Sequence, residues 1–190
     1  MPPAMEIHPR RVTLVLGGAR SGKSRYAQTL ASRYRRVTFL ATARPNDREM
    51  RERIETHRRE RPASWKTVEV PLDLHQTITS ESLKADLLLV DCLTLFVANT
   101  MSHNRRKASS ARAVTEQLCQ AIRSSKASVI VVSNEVGSGI VPAYRSGRIY
   151  RDLLGQLNQE IAKIADRVVL MIAGIPLTVK DTAGKAGDRA

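Results

Sequence analysis

Short apolar runs alternate with longer amphipathic stretches along this chain. The runs are rich in Val, Ile and Leu and do not alternate with polar positions, as is typical of parallel strands covered on both faces. They comprise Val12–Leu16, Val37–Ala41, Leu87–Val90, Val129–Val132 and Val168–Ile172. A further, more polar strand is expected at Lys66–Glu69.

Apolar positions at helical spacing separate these runs. They predict helices over Lys23–Tyr34, Asp47–Glu60, Ala111–Ser124 and Arg148–Ala165. This rhythm predicts an α/β fold with a mostly parallel, doubly wound sheet flanked by helices, and it places ligands at the carboxyl ends of the strands. The polar, basic stretch Met101–Ser110 is expected to be a mobile loop.

The 190 residues are enough for one domain that buries about 70% of the surface of its unfolded chain. We expect a flexible extension over residues 1–10, a single domain over 11–180 and a disordered tail over 181–190. The chain contains no apolar run of the ~18 residues needed to span a membrane and no signal-peptide core, so a cytoplasmic protein is expected. Cys92 and Cys119 lack metal-ligand spacing, and no disulfide is expected between them.

The net charge of +13 suits a polyanionic partner, and both nucleotides and nucleic acids meet that description. Only 4% of the residues are aromatic, so a base-stacking surface for single strands is poorly supplied. Charge alone does not decide between the two partners.

The first apolar run leads directly into a segment of the form G-x-x-x-x-G-K-S, which is Gly17-Gly18-Ala19-Arg20-Ser21-Gly22-Lys23-Ser24. The glycines allow turns in which successive N–H groups point at phosphate oxygens. Lys23 is expected to reach the β- and γ-phosphates, and the Ser24 hydroxyl to bind Mg²⁺. Arg20 either adds charge at the phosphates or is solvated. The segment predicts a nucleoside triphosphate site.

Two acidic residues follow later apolar runs. Asp91 comes directly after Leu87–Val90, where it is expected to hold Mg²⁺ or, alternatively, to cap the following segment. Glu135 follows the run Val129–Val132. One interpretation is that it is a general base or a Mg²⁺ ligand, and the other is that its loop only shapes the substrate pocket. Sequence leaves both pairs of alternatives open.

The helix predicted from Asp47 places Met50, Ile54 and His57 on one face. One interpretation of this highly charged segment is a solvated surface helix. The other is that His57 is a nucleophile toward a phosphate held by neighbouring arginines, whose charge favours the neutral imidazole. The residue pattern permits both.

Taken together, several motifs resemble one family. They are Gly17–Ser24, Ala41-Thr42-Ala43, Arg53-Ile54-x-x-His57-Arg58-x-x-Arg61-Pro62-x-x-Trp65, Glu69, Asp91-Cys92-Leu93-Thr94 and Asn134-Glu135-Val136-Gly137-Ser138-Gly139-Ile140-Val141-Pro142. Over roughly residues 12–180 the chain is similar to the bifunctional adenosylcobinamide kinase/adenosylcobinamide-phosphate guanylyltransferases of cobalamin biosynthesis. The phosphate loop is shared by many families. The segment His57-Arg58-x-x-Arg61-Pro62 and the run from Asn134 to Pro142 are far more specific.

The resemblance implies two reactions. The first phosphorylates the terminal hydroxyl of adenosylcobinamide with ATP or GTP. The second transfers GMP from GTP to that phosphate through a GMP–histidine intermediate, giving adenosyl-GDP-cobinamide and pyrophosphate. It also implies a homo-oligomer. The phosphate loop predicts Mg²⁺ as cofactor, and the scarcity of aromatic residues argues against a nucleic-acid partner.

Carried over by position, the resemblance implies His57 as the nucleophile and Ser24 and Asp91 as the metal ligands. The implied nucleotide contacts are Gly17, Gly18, Ala19, Arg20, Ser21, Gly22, Lys23, Ser24, Ala41, Thr42, Ala43, Arg58, Arg59, Glu60, Arg61, Glu69 and Asp91. For Glu69 a ribose contact and a role at the strand end are both open, and Trp65 is expected to stack on a base or pack in the core.

This chain departs from some relatives, which carry paired histidines where it has Thr56-His57. The spacing of His57 to Arg61-Pro62 favours His57 as the nucleophile. If the first position of the pair were the nucleophile, only the kinase would remain. One alternative is therefore a monofunctional small-molecule kinase. The net charge of +13 leaves a second alternative, a basic, NTP-dependent nucleic-acid-binding protein.

Overall fold

The computed structural model describes residues 9–45, 47–59, 61–103 and 109–182, with backbone only at Arg53 and at residues 109–112. The strands are β1 (Val12–Gly17), β2 (Val37–Ala41), β3 (Lys66–Glu69), β4 (Leu87–Asp91), β5 (Ser128–Asn134), β6 (Arg167–Ile172) and β7 (Ile175–Asp181). The helices are α1 (Lys23–Ala31), α2 (Arg48–Arg59), α3 (Leu74–Glu81), α4 (Leu93–His103), α5 (Ser109–Ser124) and α6 (Arg145–Ile164).

The strands form one sheet in the order β3-β2-β4-β5-β1-β6-β7. All neighbours pair in parallel except β6 and β7, which are antiparallel. The order reverses around β1, whose last residue Gly17 lies opposite Asn134 of β5 and Met171 of β6. A switch point of this kind opens a crevice at the carboxyl ends of the strands, which is where such sheets bind ligands.

Helices cover both faces of the sheet. On one face, α1 packs Ala27 and Ala31 against an apolar cluster that includes Val15 and Phe39, and Trp65 and Cys92 join its margin. On the other face, α3, α4, α5 and α6 bury their apolar side chains on a larger cluster. Burial on both faces explains why most of the strands read as unbroken apolar runs. The expected doubly wound α/β fold is confirmed.

The sequence patterns missed three elements and misplaced one loop. Neither β7 nor α3 or α4 was expected, and α4 runs through Met101–His103, where a loop was predicted. The predicted loop is therefore wrong at both ends, because α4 occupies its start and α5 begins at Ser109. Residues 104–108 lie outside the described residues.

The predicted termini fall largely outside the described residues, which begin at residue 9 and end at residue 182. Arg10 donates hydrogen bonds to the carbonyl oxygens of Ile122, Arg123 and Ser125. At the other end, Asp181 closes β7 and accepts a hydrogen bond from Arg11. In the described ranges, none of the helices is both long and apolar enough to cross a bilayer.

Glu81 offers a test of how charge stabilises this fold. Its side chain is only 8% exposed and pairs with Lys66 at 2.6 Å and Lys84 at 3.1 Å. These hydrogen bonds, led by the one from Lys66, lower the pKa of Glu81 below its usual 4.5. A lowered folded-state pKa contributes stability above the unfolded pKa that is lost as the pH falls through the folded pKa.

We expect Glu81→Gln to reduce the free energy of unfolding by about 1–2 kcal/mol at pH 7, with the difference shrinking as the pH falls below about 4.5. Urea denaturation at a series of pH values measures this. Glu160→Gln is the matched control, because the Glu160–Lys163 pair lies on the surface and surface pairs contribute little. Equal effects of the two variants at pH 7 would contradict the assignment.

Candidate active site

The segment from Gly17 to Ser24 forms a tight loop between β1 and α1. Gly22 and Arg20 have left-handed backbone angles, with φ of 89° and 55°. A Cβ on Gly17 would clash with Ser21 Oγ and would lie 2.8 Å from the Met171 carbonyl oxygen. The Lys23 Nζ folds over the loop and donates to the Gly18 carbonyl oxygen at 2.8 Å. The loop therefore has the compact backbone that an anion-binding nest requires.

The turn between β6 and β7 supports this loop from the side. The Gly174 N–H donates to the Ser21 carbonyl oxygen at 3.0 Å. A Cβ on Gly22 would lie 3.4 Å from Gly174 Cα, so the two backbones are in close contact. The conformation of the phosphate loop thus depends on a part of the chain that is distant in sequence.

Asp91, at the end of β4, lies beside Ser24 at the start of α1. Burial raises the pKa of Asp91, and the neighbouring side chains of Ser24, His57, Lys23 and Arg61 oppose that rise. Since α4 begins at Leu93, its cap position belongs to Cys92 rather than Asp91. The hydroxyl and carboxylate are the hard oxygen ligands that suit Mg²⁺.

His57 lies in the cleft that the phosphate loop opens. The Asp47 carboxylate accepts a hydrogen bond from the Met50 N–H at 2.7 Å and so fixes the start of α2. From there the helix carries His57, half-buried, into a cleft of about 900 Å³ shared with residues 20–26. The adjacent Thr56 is exposed, and its hydroxyl bonds to the Glu52 carbonyl oxygen. Of Thr56 and His57, it is therefore His57 that faces the phosphate loop.

The arginines that follow His57 have different environments. The Arg61 guanidinium stacks on the Phe39 ring at 3.8 Å and donates to the His57 carbonyl oxygen at 3.0 Å. Burial lowers the pKa of Arg61, against the raising effect of the negative charge of Asp91. Arg58 and Arg59 are exposed, and Glu60 lies outside the described residues. Arg61 is thus the member of this group whose side chain is held against Phe39 and the backbone of His57.

The ends of β2, β3 and β4 lie in one row, with Ala41 opposite both Glu69 and Asp91. Thr42 is buried; its hydroxyl donates to the Cys92 carbonyl oxygen at 2.7 Å and accepts from the Cys92 N–H at 2.9 Å. Ala43 is half-buried and Glu69 exposed. The Thr42 side chain therefore joins two strand ends, and its hydroxyl is engaged in that contact.

Glu135 follows β5 at the same edge. Its N–H donates to the Gly17 carbonyl oxygen at 3.1 Å, which ties the loop after β5 to the start of the phosphate loop. The exposed carboxylate accepts a hydrogen bond from the Gly137 N–H at 2.5 Å. The structure thus places Glu135 at the carboxyl edge of the sheet, beside the phosphate loop, and its carboxylate is hydrogen-bonded within its own loop.

Sequence reasoning missed part of the cleft lining. The further lining residues are Arg25, Tyr26, Gln28, Thr29, Met171 and Gly174. Arg25, Gln28 and Thr29 share a face of α1 at helical spacing. Once the phosphate loop is recognised, that spacing predicts that they lie on the same side of the helix. The contribution of β6 and its turn had no comparable signal, because it depends on strand order.

Comparisons with known proteins agree with this geometry. A family model described as cobinamide kinase / cobinamide phosphate guanyltransferase matches residues 13–179. The chain is 43% identical over 169 residues to the bifunctional adenosylcobalamin biosynthesis protein CobP of Pseudomonas aeruginosa, covering 88% of this chain and 96% of that protein. It is 39% identical over 178 residues to the corresponding CobU of Salmonella typhimurium, covering 88% and 98%.

Among solved structures, an ATPase from a bacterial type III secretion system matches with a TM-score of 0.52 and 10% identity. The match covers 84% of this chain and 51% of the ATPase, so it shows the fold alone. The family is shown by the sequence matches, which extend over nearly the whole of the curated relatives. The chain belongs to the family of cobinamide kinases / cobinamide phosphate guanyltransferases.

Proposed function

We propose that this chain phosphorylates adenosylcobinamide with ATP or GTP and then transfers GMP from GTP to the product, with His57 carrying the GMP in between. The observation that carries the proposal is that His57 and the phosphate loop line the same cleft. A lone P-loop supports phosphoryl transfer, whereas a histidine beside it adds a nucleophile for the second reaction.

In the kinase step, negative charge spreads over the transferring γ-phosphoryl group. Lys23 and the backbone N–H groups of the loop stabilise this charge, and they are already in place before the reaction. Ser24 and Asp91 would hold Mg²⁺, which supplies further positive charge at the phosphates. The acceptor hydroxyl attacks the γ-phosphorus and loses its proton to solvent, the bond to the bridging oxygen breaks, and the nucleoside diphosphate leaves.

In the transfer step, a neutral His57 ring nitrogen attacks the α-phosphorus of GTP. A P–N bond forms, the P–O bond to the β-phosphate breaks, and pyrophosphate leaves with the electron pair. The phosphate of adenosylcobinamide phosphate then attacks the same phosphorus, and the P–N bond breaks. Arg61, bonded to the His57 carbonyl oxygen, holds this part of α2 against β2.

Family membership supports our proposals for the remaining nucleotide contacts, the partners and the location. We infer that Ala41, Thr42, Ala43 and Glu69 contact the nucleotide, that Arg58, Arg59 and Glu60 contribute when GTP is bound, and that Glu135 lies at the acceptor side. The enzyme is proposed to be a cytoplasmic homo-oligomer that uses Mg²⁺ and has no nucleic-acid partner.

Incubation of the purified protein with adenosylcobinamide, Mg²⁺ and ATP, followed by GTP, tests the proposal by mass spectrometry of the corrinoid. We expect one added phosphoryl group and then one added GMP, with release of pyrophosphate. Phosphorylation that never proceeds to GMP addition would leave a monofunctional kinase. Nucleoside triphosphate hydrolysis stimulated by DNA or RNA, without any change to the corrinoid, would support the nucleic-acid-binding alternative.

Replacing Asp91 with Asn tests the metal site. Because the carboxylate supplies the charge beside Ser24, we expect Asp91→Asn to raise the Mg²⁺ concentration at half-maximal kinase activity about tenfold or more. A Mg²⁺ titration of the kinase rate at fixed ATP measures this. Asp152→Asn, an exposed change on α6, is the control, and superimposable titration curves for Asp91→Asn and wild type would rule out the metal role.

A further inference from the structure

The loop after β5 holds several apolar side chains out into solvent. We call residues 135–144 the acceptor loop. Ile140 is 96% exposed, Val141 58% and Tyr144 81%. Single exposed apolar residues are common, but a group of them within five positions is a feature of binding surfaces.

The acceptor loop starts beside the phosphate site. Asn134, the last residue of β5, lies opposite Gly17 in the sheet, and the next N–H, of Glu135, donates to the Gly17 carbonyl oxygen. These apolar side chains therefore extend from the edge of the sheet at which the nucleotide phosphates are expected.

The exposed conformation is held by specific contacts. Arg148 Nη1 donates to the carbonyl oxygens of Pro142 at 3.0 Å and Ala143 at 2.7 Å. A Cβ on Gly147 would lie 2.8 Å from Pro142 Cβ, so the start of α6 packs closely beneath the loop. The Arg148 N–H also bonds to the Tyr144 carbonyl oxygen. The loop is thus pre-formed, which lowers the entropic cost of binding a partner.

We propose that Ile140, Val141 and Tyr144 bind the corrin ring of the cobinamide substrate, an inference that rests on the proposed function. The reacting hydroxyl lies on a flexible arm of this substrate, while the bulk of the molecule is a broad ring edged with methyl groups. The arm must reach the phosphate loop, so the ring has to lie against a neighbouring surface. The acceptor loop supplies apolar contact there, with an aromatic ring in Tyr144.

Equilibrium dialysis against adenosylcobinamide, detected by its visible absorbance, tests this directly and does not require turnover. We expect Ile140→Ser and Tyr144→Ser each to raise the Kd for adenosylcobinamide about tenfold, and Tyr144→Phe to leave it near the wild-type value. Leu83→Ser is the matched control, because Leu83 is 72% exposed and lies before β4, away from the carboxyl edge. The Kd for a non-hydrolysable ATP analogue should stay unchanged in all four variants.

An unchanged corrinoid Kd in both serine variants of the acceptor loop would overturn the inference. If those variants instead reduced the oligomeric mass in light scattering, the loop would be a contact between copies of this chain. The failure of the proposed function has a different result: wild-type protein would neither bind nor phosphorylate adenosylcobinamide. Normal turnover by the wild type with an unchanged KM in Ile140→Ser would contradict the inference alone.

Discussion

Lys23→Ala is expected to reduce the kcat/KM of cobinamide phosphorylation by at least about 10³-fold. The ammonium group now bonds to the Gly18 carbonyl oxygen within the phosphate loop, so it is held where the β- and γ-phosphates would lie. Its removal leaves the charge that develops on the γ-phosphoryl group without its main side-chain partner. A coupled assay of ADP release in the presence of adenosylcobinamide measures the effect.

The control for this experiment is Lys126→Ala, which removes an exposed lysine between α5 and β5. We expect it to match the wild type in rate and melting temperature. Lys23→Arg should recover little activity, because the planar guanidinium does not fit where a compact ammonium binds. A wild-type rate in Lys23→Ala would remove the phosphate loop from the kinase mechanism.

His57→Ala is expected to abolish guanylyl transfer while leaving cobinamide phosphorylation measurable. The loss should be complete within detection, because removal of a covalent nucleophile leaves no alternative route through the same intermediate. Incubation with Mg²⁺ and GTP labelled at the α-phosphate, then denaturation and peptide mapping, measures the intermediate. In the wild type we expect acid-labile, alkali-stable label on the peptide that contains His57.

Two further variants sharpen this test. His75→Ala removes a histidine of α3 and should leave labelling unchanged. In the His57→Ala background, adding Thr56→His restores an imidazole one position earlier, on the exposed side of α2, and should not restore labelling. Labelling of the double variant would show that α2 can rotate its outer face to the nucleotide, contrary to the assignment of His57.

The strands of the parallel sheet were predictable because burial on both faces leaves an unbroken apolar run, as in Leu87–Val90. The last strand, β7, was missed for the opposite reason. It lies at the sheet edge with Ile175, Leu177 and Val179 exposed, and Pro176 interrupts its pattern. The predicted loop Met101–Ser110 is wrong at both ends because the polar ends of α4 and α5 cannot be distinguished from a loop by composition alone.

For the candidate site, local spacing predicted the phosphate loop, and the resemblance supplied the role of His57. The meeting of His57 with that loop depends on how α2 folds back along the sheet, which no local pattern encodes. Thr42 illustrates the same limit. Its hydroxyl bonds to the backbone of Cys92, fifty positions along the chain, which no local pattern indicated, and its expected nucleotide contact stays a prediction. Contacts of this range are fixed by topology rather than by motif.

The support that Gly174 gives to the phosphate loop has a consequence for biosynthesis of the protein. During translation, the whole G-x-x-x-x-G-K-S motif leaves the ribosome long before β5, β6 and the turn that ends at Gly174. A nascent chain therefore carries the motif without its neighbouring strands, and ATP or GTP has no finished site with which to stabilise early intermediates. The site described here is therefore complete only in chains that extend past Gly174, and nucleotide bound to it stabilises the folded chain rather than an early intermediate.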